Sequence, residues 1–161
     1  MKFLDPSQTA PKGSAPGLKV KLLSDNGGVK SYILVFAIGD EILSGILEFA
    51  KKYHVACAHF TAIGALKKAT SGWYDITKKS YLLHSIDEQV ELVSLVGNID
   101  LVDGKPAVHA HFSVGYPDGR VGGGHLVDAF VFPTCELFVT TYPTAINKHL
   151  HDDVGLNLID L

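Results

Sequence analysis

The chain has 161 residues, 47% of them hydrophobic and 19% charged, which suits one globular domain with a real core and leaves too little for two. Its formal charge is −3 and Arg120 is the only arginine among 14 cationic side chains, so it lacks the clustered basic surplus with which proteins neutralise nucleic-acid phosphates. No run approaches the roughly 18 continuous apolar residues of a membrane span. Cys57 and Cys135 sit inside separate apolar runs, as expected of buried thiols in a reducing, cytoplasmic setting.

Residues 1–17 are rich in Pro, Ser, Gly and Lys without a period and read as a flexible arm; residues 18–161 read as the domain. "LKVKLLS" alternates, "DNGG" offers the left-handed residues of a tight turn, and "SYILVFAI" follows, so these segments pair as a hairpin. Over residues 40–53, Ile42, Leu43, Ile46, Leu47, Phe49 and Ala50 fall on one helical stripe, with Asp40 as the expected N-cap and Lys51 and Lys52 at the C-terminal end. From there the period is two: "ACAHFTAIG", "KKATSGWYD", "SYLLHSI", "QVELVSLVGNIDL", "AVHAHFSVGY", "HLVDAFVF" and "TCELFVTTY" read as strands. The final residues promise a short helix at most. That order predicts an α+β fold, a largely antiparallel sheet packed against one main helix in a single domain.

The stretch "VHAHFSVGYPDGRVGGGHL" concentrates the chemistry. If His109 and His111 share a strand they point to one face, about 6.6 Å apart along it. The "YPDG" turn reverses the chain, three glycines permit close backbone approach, and His125 returns beside them. Three imidazoles with an open fourth position is a set that binds zinc, and such a position accepts water or a small anionic ligand. Paired histidines on a half-buried sheet are also often no more than hydrogen-bonded polar residues.

Other candidates are less focused. Glu136, in the apolar context "PTCELFVTT", needs a cation, a ligand histidine or a neighbouring subunit to offset burial. Arg120 after the turn could meet an anion or simply face solvent. His59, alternating with Cys57 and Thr61, reads as a satisfied core histidine, and the "KHLH" pair His149 and His151 as a solvated segment or a subunit contact.

The segments "HFTAIGALKKATSGWYD", "EQVELVSLVGNI", "GKPAVHAHFSV", "GGGHL" and "CELFVTT", in this order with short spacers, resemble the plant and prokaryote conserved domain over nearly the whole chain. The resemblance implies an antiparallel sheet with a helix, assembled as a homotrimer. It implies a histidine-bound metal of the kind some prokaryotic members hold, at His109, His111 and His125. It also implies a protein-contact strand at Gln89, Val90, Glu91 and Leu92. Plant relatives pair the domain with DNA-binding AT-hooks, and stand-alone prokaryotic members are labelled DNA-binding by analogy. This chain has no "RGRP"-type hook, so the part that grips DNA does not carry over. A cupin is the rival pattern, but cupins place a glutamate three or four residues after the second histidine, where this chain has Gly115 and Tyr116. Two functions are thus open: a trimeric binding or regulatory module with a metal site, or a zinc-dependent hydrolase that uses a metal-bound water, with Glu136 or Asp128 as distant candidate bases.

Overall fold

The computed structural model describes residues 2–9 and 11–161. Its strands are β1 (Phe3–Leu4), β2 (Lys19–Asn26), β3 (Val29–Phe36), β4 (Ala58–Asp75), β5 (Ser80–Ile86), β6 (Val90–Val102), β7 (Lys105–Gly115), β8 (Val121–Thr141), β9 (Asn147–His151) and β10 (Leu156–Ile159). One α-helix, α1 (Ile42–Lys52), lies between β3 and β4, and a single 3-10 turn, Pro6–Gln8, follows β1. The mixed, mostly antiparallel sheet with one helix is the architecture that the residue pattern predicts.

The predicted hairpin forms as β2 and β3, with Asn26 opposite Val29 and Gly27 and Gly28 at φ of 62° and 89°. The helix covers the predicted stripe, but its cap is Glu41 rather than Asp40. Glu41 is 1% exposed and its carboxylate accepts from the N–H groups of Leu43 (3.0 Å), Ser44 (2.7 Å) and, across the fold, Ala129 (3.2 Å). Asp40 instead closes the turn before the helix, accepting from the N–H groups of Ala37 and Gly17, both at 2.9 Å. Two adjacent acids therefore divide the work, and sequence spacing alone does not say which one caps.

Two pairs of predicted strands are fused. "ACAHFTAIG" and "KKATSGWYD" merge into β4, and "HLVDAFVF" and "TCELFVTTY" into β8. Bulges, not turns, accommodate the irregular residues, with β4–β8 register shifts between Gly64 and Leu66, between Leu66 and Lys68 and between Thr70 and Ser71. β4 and β8 pair along most of their length, and β6 and β7 bridge them, so β4–β6–β7–β8 closes on itself. α1 packs on β7 and β8, where Ile42, Ile46 and Phe49 join Phe36, Phe60, Leu66, Val114 and Leu137 in the core.

Both ends of the chain are seated on this body. Phe3 and Leu4 pair with Leu82 and Tyr81, Ala15 is 5% exposed, and the Ser14 carbonyl accepts from the Glu41 N–H. Within the arm expected in residues 1–17, Leu4 and Ala15 are thus buried, and most of the other described residues are exposed. The tail, expected to be helical at most, is the β9–β10 hairpin, and β9 runs parallel to the end of β6 with Lys148 opposite Val102.

Candidate metal centre

The register places the three histidines. His111 on β7 lies opposite His125 on β8, and His109 follows two residues along β7 on the same face. Close approach depends on the glycines before His125. Gly123 has φ of 150°, and a Cβ there would stand 2.0 Å from the Phe112 carbonyl oxygen. Gly124, with φ of 147°, would set its Cβ 2.9 Å from the Gly72 carbonyl oxygen. Only glycine lets β8 pass between β7 and β4 here.

The three rings form a nearly regular triangle, with centroid separations of 5.1 Å (His109–His111), 5.4 Å (His109–His125) and 5.5 Å (His111–His125). One ring nitrogen from each lies within 4.8 Å of the others, and the Nε2 atoms of His109 and His111 are 3.3 Å apart. Nitrogens bound to one tetrahedral zinc at about 2.0–2.1 Å stand about 3.3–3.4 Å from one another, so the first pair is already at ligand spacing. His125 Nδ1 is buried without a hydrogen-bond partner in the protein, a cost that a metal or other ligand would remove. Tyr81 stacks on the His125 ring at 4.4 Å and 13°, holding its plane.

The site also favours uncharged imidazole. Burial, then the neighbouring His109, His111 and Lys148, pushes His125 down to about 3; burial, then Lys148 and His111, pushes His109 down to about 4. Neutral imidazole is the form that ligates. The donor set fits a divalent metal.

A second polar group adjoins the histidines. Lys148 of β9 is 8% exposed and its Nζ lies 2.8 Å from Oδ2 of Asp100, itself 1% exposed. The contact is a buried ion pair. Burial raises Asp100 while Lys148 opposes that rise. Asn98 lies opposite His109 in the β6–β7 register, and its Oδ1 is buried and unpaired. No motif marks these residues; Asn98 and Asp100 share only the period-two spacing of β6, and Lys148 comes from β9.

The other expected residues lie elsewhere. Glu136 is exposed, directly across β4–β8 from Ile63, and separated from His125 by roughly 36 Å of strand, so it supports no metal ligand of its own chain. Arg120 is spent within its own turn, bonded to Asp118 at 2.5 Å and lying over the Tyr116 ring. Along the expected contact strand, Val90 and Leu92 are each 2% exposed and belong to the core, leaving only Gln89 and Glu91 facing outward. His59 is exposed, not buried: it stacks on Tyr142, whose hydroxyl is 3.0 Å from His59 Nδ1. His149 is exposed and His151 half-buried in the tail hairpin, and neither joins the cluster.

The sequence pattern of the Plants and Prokaryotes Conserved (PCC) domain matches residues 23–143. The chain belongs to the PCC domain family. Solved structures agree. A plant- and prokaryote-conserved protein from Pyrococcus horikoshii is 34% identical, with a TM-score of 0.77 over 89% of this chain and 95% of that one. A metal-containing protein from Archaeoglobus fulgidus is 33% identical, with a TM-score of 0.76 over 89% of this chain and 98% of that one. A protein from Bacteroides thetaiotaomicron, provisionally described as DNA-binding, is 26% identical, with a TM-score of 0.81 over 88% and 96%. No curated protein matches the chain. The PCC match ends before β9, so the tail that carries Lys148 lies outside it.

Proposed function

We propose that this chain is a stand-alone PCC-domain module, assembled as a homotrimer, in which His109, His111 and His125 hold a divalent metal with a coordination position left open to a small anionic ligand. The observation that carries the reading is the triangle of imidazoles with ligating nitrogens within 4.8 Å of one another. Zinc suits three neutral imidazoles without needing a carboxylate. The similar Archaeoglobus fulgidus protein is described as metal-containing, which supports a metal without naming it.

Assembly has separate support. Ile63, Val93, Val96 and Phe138, between 48% and 62% exposed, form an apolar outer surface around Glu136. Glu91 lies beside Val93 on this surface, and Gln89 is exposed just before β6. A surface of this kind favours contact between copies.

A regulatory or binding role suits the cluster better than hydrolysis. Asp128 is occupied by the Thr70 hydroxyl at 3.1 Å, Glu136 lies far along β8, and Asp100 is paired with Lys148. None of these three carboxylates is both unengaged and beside the histidines to take a proton from a bound water. DNA binding, the provisional description of some relatives, finds no support in a chain with charge −3 and one arginine. Metal content of the purified protein, before and after removal of one histidine, is the deciding test.

A further inference from the structure

Below the His111–His125 pair, β7 and β8 separate. β7 continues along β6 to Lys105, while β8 continues along β4, so the ladder between them ends where the histidines stand. The fork opens a cleft of about 380 Å³, reaching from His109 and His125 down to Leu43 of α1. Val108 and Leu126, one from each parting strand, form its sides. Leu156 and Leu158 of β10 and Pro6 and Thr9 of the N-terminal segment form its outer wall. The wall therefore comes from parts of the chain outside residues 23–143, the segment that the family's sequence pattern matches.

Asn98, His109, His125 and Lys148 line the cleft, with Thr9, Tyr81 and Asn157 as its other polar lining residues and Asp100 behind Lys148. Asn98 lies opposite His109, Asp100 is two residues further along β6, and Lys148 crosses from β9 to meet Asp100. Two of the lining residues, His125 and Asn98, have buried polar atoms with no partner in the protein. A buried polar atom without a partner costs about 1–3 kcal/mol, so a cleft with two of them is adapted to contents that are partly polar. The Lys148–Asp100 pair is neutral overall, whereas three neutral imidazoles leave the charge of a divalent ion uncompensated. The cleft thus asks for one anionic group at the histidine end and hydrocarbon beyond it.

We propose that the cleft binds a small aliphatic carboxylate, its carboxylate at the open position of the three-histidine site beside Lys148 and its chain between Val108, Leu126, Leu156 and Leu158. This rests on the metal reading above and adds the ligand class. The volume is within the range of small-molecule sites, and apolar walls with a few convergent polar groups are their usual make-up. An inorganic anion would meet the metal and Lys148 but leave the hydrocarbon walls unfilled. A fatty alcohol would fill the walls but leave the ion's charge unmet.

The test is calorimetric titration of zinc-loaded protein, its zinc content measured on the same sample, with acetate, butyrate, hexanoate and hexanol. Affinity should rise from acetate to hexanoate by up to about fourfold per methylene, the factor that corresponds to about 0.8 kcal/mol for each buried CH₂. Hexanol should bind at least tenfold more weakly than hexanoate, and metal-free protein should bind hexanoate at least tenfold more weakly than the loaded form. Leu158→Asp, a change at a partly exposed tail position, should remove the chain-length dependence, so that hexanoate binds no more tightly than acetate. Equal affinity for acetate and hexanoate, or no saturable hexanoate binding by protein that carries one zinc per chain, would overturn the ligand proposal and leave the metal reading intact. Failure to take up zinc would overturn both.

Discussion

His111 and His125 face each other as the last cross-strand pair before β7 and β8 part, their ring centroids 5.5 Å apart. A metal held between them and His109 would tie the two strands at the point where their backbone ladder ends. Binding to the folded state alone stabilises it by mass action, so metal should raise the unfolding midpoint in a concentration-dependent way. The glycines before His125 serve the same fork, because they let β8 come close enough for the pair to form.

Gly123→Ala is accordingly expected to destabilise the domain by about 2 kcal/mol or more, through left-handed strain and collision with the Phe112 carbonyl. Gly119→Asn, in the turn where nothing lies within 4 Å of a Cβ, should stay within about 1 kcal/mol. Urea unfolding of both variants checks this. Equal stability of the two would show that the close approach at Gly123 is relaxed in solution.

The histidines also predict a pH dependence for the metal-free protein. In the unfolded chain they take up protons near 6.5, whereas in the folded chain His109 does so at about 4 and His125 at about 3. Between those values the unfolded state binds more protons, so the contribution of these two rings to stability is present above about pH 6.5 and is lost as the pH falls toward 4. Ring-proton NMR should show no titration of His109 or His125 above pH 5, and denaturant midpoints should fall between pH 7 and pH 4.5. Either ring titrating near pH 6.5 would contradict the account.

Light scattering at micromolar concentration should give about three times the chain mass of 17.3 kDa. Ile63→Asp, which places a charge on the exposed apolar surface, should shift the population to monomer without lowering helix or strand content. A wild-type monomer at every concentration would remove the trimer.

Duplex DNA of mixed sequence should bind no more tightly than tens of micromolar near physiological salt, because scattered lysines release few counterions. Fluorescence anisotropy measures this. Submicromolar affinity with a steep salt slope would show that the lysine pairs form a phosphate track.

Much of this is legible in the amino-acid sequence. Alternation of His109 with His111, a Pro-Asp-Gly turn and the glycines before His125 fix a local hairpin, and local hairpins are what sequence spacing describes well. The hairpin at "DNGG" and the stripe of α1 were legible for the same reason. What spacing could not show was non-local. Lys148 meets Asp100 only because β9 adds in parallel to β6, and nothing in "INKHLHDD" announces that pairing. Glu136 was expected to be buried because its neighbours are apolar, yet Phe138 and Ile63 on its own face are exposed as well. Apolar neighbours imply burial only when something covers that face, and a single chain does not.

Binding of one metal ion by His109, His111 and His125 together is tested by elemental analysis of protein dialysed against zinc at neutral pH. The wild type should retain about one zinc per chain. His109→Ala, His111→Ala and His125→Ala should each retain at least tenfold less at the same free zinc, since removal of one of three ligands leaves too few to hold the ion. His149→Ala and His151→Ala, outside the triangle, should match the wild type. Wild-type protein that is free of zinc while folded, or zinc that survives replacement of any of the three histidines, would contradict it.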